Sequence, residues 1–182
     1  MDILALNCGS SSVKYQLYDW KKREVIAKGM VERVTIGDSY IIHEVPGRET
    51  YREEYECPDH QVAIHLIIKI LSDKDKGVVS SMEQISAVGH RVVHGGEKFT
   101  CSVRIDDKVL DAIKEVQHLA PLHNPHNLEG IREALDAATG MIRCTTASTA
   151  HRGASWRRPS SGRSSPRSTR TSSSTPSTRC GR

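Results

Sequence analysis

Past Ile142 the chain has no Val, Ile, Leu, Met, Phe or Tyr, which excludes a hydrophobic core of its own for that stretch. Arg143 to Arg182 also lacks Lys, Asp and Glu, and holds 9 Arg, 11 Ser and 7 Thr. Aromatic residues are scarce throughout, at 4%, with a single Phe. The five cysteines (Cys8, Cys57, Cys101, Cys144, Cys180) are scattered and odd in number. Their spacing excludes a disulfide framework or a zinc ribbon, and they read as free thiols of a reducing cytoplasm. No secretory leader is evident at the start. The most apolar run, VAIHLIIKIL, is short and broken by His65 and Lys69, so no membrane span is expected.

The formal charge of +4 belongs to the end of the chain. Nine of the 26 basic residues lie after residue 142 and all 22 acids lie before it, leaving residues 1–142 at −5. A mildly acidic body gives no footprint for nucleic acid. The two parts are read separately: residues 1–142 as one domain, 143–182 as an Arg/Ser/Thr-rich tail expected to be disordered. An abrupt change from a periodic core to Arg, Ser, Thr and Pro is what out-of-frame reading of a GC-rich gene gives. A frameshift or truncation is therefore the favoured origin, ahead of a natural disordered tail or an RNA-binding arm.

The body opens with strands. Ile3 to Leu6 is a short apolar run that stops at Asn7-Cys8-Gly9, and Ser10-Ser11-Ser12 supplies a turn. Val13, Tyr15 and Leu17 then alternate with polar neighbours, the period of a half-buried strand. Further strands are predicted over Glu24–Val34, Ser39–Val45 and Thr50–Glu56, joined as an antiparallel meander. Asp59 is placed to cap a helix carrying Val62, Ala63, Leu66, Ile67, Ile70 and Leu71. Ile85 to Val93 returns to a strand ending at Gly95-Gly96. Asp106 or Asp107 caps a second helix, and Asn124-Pro125 suits the N-cap and first turn of a third. This order of elements gives an α/β fold with a mixed β-sheet and flanking helices.

Three segments carry chemistry. In NCGSSSVK (Asn7 to Lys14), Gly9 permits close backbone approach, and Ser10, Ser11 and Ser12 offer N–H and hydroxyl groups to phosphate oxygens. Lys14 on the returning strand is a point charge within reach of the same phosphate. A polar β-turn with a solvated lysine explains the same letters, and Walker A spacing is absent. In HRVVHGG (His90 to Gly96), the period of two puts Arg91 and Val93 on one face and His90, Val92 and His94 on the other. Arg91 can grip a carboxylate or phosphate with two hydrogen bonds beside an apolar wall at Val93. A structural salt bridge at Arg91 is the plain alternative. HLAPLHNPHN (His118 to Asn127) is a loop stiffened by Pro121 and Pro125 that presents His123, with Asn124 as helix cap. Three histidines there also raise a metal site, but without thiolate or nearby carboxylate that reading is the weaker one.

LALNCGSSSVK, VGHRVVHGG and LAPLHNPHN, in that order, resemble the signatures of the acetate kinase family. The resemblance implies half of an actin/hexokinase-like (ribonuclease H-like) ATPase fold. It implies reversible transfer of the ATP γ-phosphoryl to acetate, giving acetyl phosphate and ADP, with Mg2+ as cofactor. By the same resemblance, Asn7 is the residue near the metal and Lys14 a nucleotide-phosphate contact. Arg91 holds acetate, Val93 and Leu122 form its methyl pocket, and His123 touches the transferred phosphoryl. The full-length form is expected to be a cytoplasmic homodimer that binds no membrane or nucleic acid. Family members are much longer, and their FDTAFH-like stretch with the catalytic Asp has no counterpart here. The chain alone is therefore expected to be inactive. Propionate kinase, or a non-catalytic nucleotide-binding fragment with a basic RNA-binding tail, are the alternatives.

Overall fold

In the computed structural model of the chain, residues 1–99, 101–137 and 143–148 are described. The alternating apolar residues at the start form β1 (Asp2–Cys8) and β2 (Ser12–Asp19), an antiparallel hairpin. β3 (Glu24–Glu32), β4 (Tyr40–Glu44) and β5 (Tyr51–Glu54) continue the meander, each antiparallel to the strand before it. α1 (His60–Leu71) follows, its first turn capped by the Asp59 side chain, which accepts from Val62 N–H at 2.8 Å. The chain then crosses back, and β6 (Ile85–Val92) pairs parallel to β1. β7 is the two-residue strand Val103–Arg104. α2 (Asp107–Glu115) is capped by Asp106, and α3 (Asn124–Ala137) leads to β8 (Arg143–Ser148). Among the described residues the eight strands lie in the order β5-β4-β3-β2-β1-β6-β8-β7.

The period of two divides this sheet into unlike faces. Leu4, Leu6 and Cys8 of β1, Val13, Tyr15 and Leu17 of β2, and Val88, His90 and Val92 of β6 are buried. Against them pack Ala63, Ile64, Ile67 and Leu71 of α1 and Ala134 of α3. Each buried Val, Leu or Ile among them contributes about 1.5–3 kcal/mol through its removal from water. The residues between them, Ala5, Lys14, Gln16 and Arg91, are exposed on the other face. The mixed α/β sheet with flanking helices is the fold expected, and the meander, α1 and α2 lie where the periodicity put them.

Two strands were not foreseen. β7 has only two residues and no period to read. β8 occupies the first six residues assigned to the tail and pairs with β6 and β7. Its Thr145-Thr146 pair favours extended backbone, a preference that a mean composition over the last forty residues conceals. The boundary read at residue 142 therefore falls just before a strand of the sheet. Residues 149–182, the rest of the expected tail, lie outside the described residues.

Candidate functional site

In open α/β sheets ligands gather at the carboxyl ends of parallel strands. Here the parallel strands are β1, β6 and β8, and at the ends of the first two Ala5 pairs with Gly89 and Leu6 with His90. The β1–β2 hairpin turns immediately beyond, with Cys8 opposite Val13 and Asn7 opposite Lys14. Gly9 N–H closes the turn on Ser12 O at 2.7 Å. Three carbonyls of the turn region are tied to the body. Cys8 O accepts from Asn127 Nδ2 at 2.7 Å, Gly9 O from His60 Nε2 at 2.6 Å, and Ser11 O from Val34 N–H at 3.0 Å. Because a trans peptide directs its N–H opposite its C=O, these bonds aim the Ser10 and Ser12 amides away from those partners.

On the open face of the sheet, a cleft of about 400 Å³ runs across β2, β1 and β6. Its floor is the paired Ala5 and Gly89, small enough to let a ligand approach the strands, and Asn7, Lys14, Gln16 and Arg91 surround them. The lining holds two cations, Lys14 and Arg91, and no acid. Such a concavity attracts anions and supplies both a point charge and a planar fork to receive them. The structure thus brings Asn7, Lys14 and Arg91 together. Ser10, Ser11 and Ser12 sit at the adjoining turn, outside the lining residues.

Val93, Leu122 and His123 are also outside the cleft lining. Val93 follows β6 and is half-buried, while Leu122 is 74% exposed on the turn before α3, with His123 exposed beside it. What links them is the pair Asn124 and Asn127, both fully buried. Asn124 does not act as a side-chain cap. Its Oδ1 accepts from His94 N–H at 3.2 Å, and its Nδ2 donates to His94 O at 2.8 Å and Val116 O at 3.2 Å. The expected cap is overturned because the end of β6 offers a peptide with both groups in reach of the amide. Asn127 Oδ1 accepts from Val93 N–H at 3.0 Å while its Nδ2 holds Cys8 O. The two asparagines therefore stitch α3 to the ends of the parallel strands β1 and β6. Asn127 was missed in the sequence. Its signal was a second Asn one turn along, on the face that Leu128 and Ile131 bury.

Two more groups lie beneath the cleft. His90 is buried under α3, where a methyl group added to Gly130 would sit 2.8 Å from its Nε2 and 2.3 Å from Cys8 Sγ. Its Nδ1–H donates to Arg91 O at 2.8 Å, and Nε2 has no hydrogen-bond partner among the described residues. Burial pushes the His90 pKa down to about 4, so the ring is neutral near pH 7. Burial also pushes the Cys8 thiol up to about 12, helped by the Glu129 charge, which excludes a reactive thiolate there.

The lowered His90 pKa sets an expected pH dependence. Between pH 6.5 and 4 the unfolded ring binds a proton that the folded ring refuses. Stability is then fully present above about pH 6.5 and falls by about 3 kcal/mol as the pH drops toward 4. His43, lowered by burial, acts in the same direction, and Glu133, whose carboxyl is raised by burial, acts against it. Urea melts across this range should show the slope, and His90→Leu should flatten it. An unchanged slope in that variant rejects the assignment.

A model described as the Acetokinase family matches residues 2–151 of the chain. The acetate kinase of Geobacter sulfurreducens is 75% identical over 134 residues, which cover 74% of this chain and 32% of that enzyme. The crystal structure of Porphyromonas gingivalis acetate kinase superposes with a TM-score of 0.78 at 41% identity, covering 81% of this chain and 37% of that one. A propionate kinase from Francisella tularensis gives a TM-score of 0.72 at 31% identity, covering 81% and 36%. The chain spans about a third of the length of the curated relatives it matches.

Proposed function

The chain belongs to the acetokinase family, and from that premise we propose that it supplies the phosphate hairpin and acid-binding strand of an acetate kinase. The reaction is reversible transfer of the ATP γ-phosphoryl to acetate, giving acetyl phosphate and ADP. One observation carries the reading: Asn7, Lys14 and Arg91 share an open cleft that has two cations and no acid. In-line phosphoryl transfer asks a protein mainly to position reactants and to neutralise charge. Lys14 and the Gly9–Ser12 turn take the nucleotide phosphates. Arg91 holds the acetate carboxylate through two of its guanidinium nitrogens, with Val93 and Leu122 against the methyl group. His123 donates to the transferred phosphoryl. Residues 1–142, extended by β8, belong to the N-terminal domain of that enzyme, and residues 149–182 follow as the tail.

Mg2+ fits this cleft poorly on its own terms. Magnesium takes oxygen ligands, commonly one or two carboxylates with substrate phosphates. The lining offers the amide oxygens of Asn7 and Gln16 and no carboxylate. A cytoplasmic location and a homodimeric full-length form rest on the family resemblance. Among the described residues no helix is long and apolar enough to cross a membrane.

The test is acetyl phosphate binding to the 182-residue chain by calorimetry. Arg91→Ala removes charge-assisted hydrogen bonds of about 1.5–3 kcal/mol, so affinity should fall about tenfold or more. Equal binding by the variant rejects the cleft as the anion site. Turnover of acetate and ATP by the chain alone is expected to be undetectable, since it covers 32% of its Geobacter relative. Measured turnover would overturn that part. The likeness to a propionate kinase favours a second reading, propionate as acceptor. One methylene changes pocket binding by only about 1–3 kcal/mol, so comparing propionyl phosphate with acetyl phosphate in the same assay decides it.

A further inference from the structure

Behind the phosphate hairpin, on the helical side of the sheet, His60 of α1 meets His126 and Glu129 of α3. The three donor atoms lie within 4.8 Å of one another. His60 Nδ1 is 3.6 Å and His126 Nδ1 3.7 Å from the same Glu129 carboxylate oxygen. The two rings stack with centroids 5.0 Å apart. His60 is only 1% exposed, while its partners are half-buried, so the cluster opens to solvent on one side.

The Gly9 carbonyl decides what this cluster can do. His60 donates Nε2–H to Gly9 O at 2.6 Å, so in a neutral ring the lone pair is at Nδ1, the atom that faces Glu129. A lone pair directed at a carboxylate oxygen is repulsive unless a positive charge lies between them. His126 adds a second ring nitrogen toward the same oxygen. An imidazole whose other nitrogen donates to a backbone carbonyl is also the usual arrangement of a metal-ligating histidine, since that bond fixes the tautomer and orients the ring.

From this juxtaposition we propose that His60, His126 and Glu129 form a site for a zinc-class divalent cation that clamps α1 to α3 behind the hairpin. Two histidines and one carboxylate with an open fourth position form a zinc-type ligand set. Two bonds of about 2.1 Å at the tetrahedral angle hold donor atoms about 3.4 Å apart, close to the 3.6 and 3.7 Å seen here. Rotation of the partly exposed His126 ring closes the remaining separation. Magnesium and calcium prefer all-oxygen surroundings and are disfavoured. The dipoles of two helix N-termini oppose a cation here; the Glu129 charge and the Asp59 cap beside His60 work against them. This site is separate from the anion cleft, and its reach to the hairpin is through His60 to Gly9 O.

The experiment is titration of the full chain with zinc against a chromophoric chelator, repeated with cobalt to read the ligand type. One cation per chain is expected, with cobalt d–d absorption and no sulfur-to-cobalt charge transfer, because the cysteines take no part. His126→Ala and Glu129→Gln should each lower affinity at least about tenfold, since losing a ligand costs no less than losing the group that orients one. Zinc should raise the melting temperature of the parent and not of His126→Ala. Arg91→Ala should keep full zinc affinity, so failure of the anion cleft leaves this outcome unaffected. Equal affinity in the parent and both variants, or a thiolate charge-transfer band, overturns the site. So does a ring proton shared by His60 and Glu129 in nitrogen NMR with no zinc uptake.

Discussion

Replacing Asn127 by Ala should cost about 2–5 kcal/mol, among the largest losses available to any single polar side chain in this fold. The side chain is fully buried and spans Val93 N–H at 3.0 Å and Cys8 O at 2.7 Å. Truncation leaves a part-buried donor and a buried acceptor without these partners, at about 1–3 kcal/mol for the buried one and less for the other. The cavity left by the missing amide adds to this. Asn127→Asp separates the two bonds. It keeps an acceptor for Val93 N–H but sets a carboxylate oxygen against Cys8 O in a buried place, and should be no better than Ala near neutral pH. Urea melts of the three proteins are the measurement. A loss under about 0.5 kcal/mol for Asn127→Ala, the ordinary scatter of surface substitutions, would mean that the stitch contributes little.

Gly130→Ala should destabilise, although alanine is the better helix former. In an exposed helix interior the change gains about 1 kcal/mol. Here the new methyl would sit 2.3 Å from Cys8 Sγ, 2.8 Å from His90 Nε2 and 3.1 Å from Cys8 Cβ. Overpacking of a buried contact typically costs about 1–3 kcal/mol, occasionally more, and distances this short belong at the upper end. The net expectation is a loss of about 2 kcal/mol. Because the closest atom is a sulfur, Cys8→Ala should relieve part of the clash, and the double variant should be more stable than the sum of the singles predicts. Strict additivity would place the cost elsewhere.

These two positions also show where the sequence stops being readable. The hairpin and α1 were legible because their signals are local: an alternation of two across Val13, Tyr15 and Leu17, and Asp59 ahead of a helical stripe. The relation between β1 and β6 is not local. Nothing near Leu6 names His90 as its neighbour, so the chemistry beneath the cleft could not be assembled from spacing. Asn124 reads as a cap because Asn before Pro ordinarily is one. Only the end of β6, brought alongside, gives its amide another use. The cleft residues stood out as Gly, Ser, Lys and Arg in patterns suited to anions, and the family resemblance supplied roles that periodicity could not. Asn127, Gly130, His60 and Glu129 carried no such flag, because each acts through a partner on a different element.

The position of β1 bears on the order in which the molecule can be made. Its pairing with β2 is complete once the nineteenth residue is available, but its other edge waits for β6, which begins at Ile85. During synthesis from the N-terminus, the meander and α1 can assemble while Leu4 and Leu6 already sit on a strand whose backbone amides and carbonyls face outward on one side. An unpaired apolar edge of this kind recruits strands from other chains. Until β6 arrives, the growing protein is a better template for a neighbour than for itself. Rapid closure of the β1–β6 ladder is then a condition of yield as much as of shape.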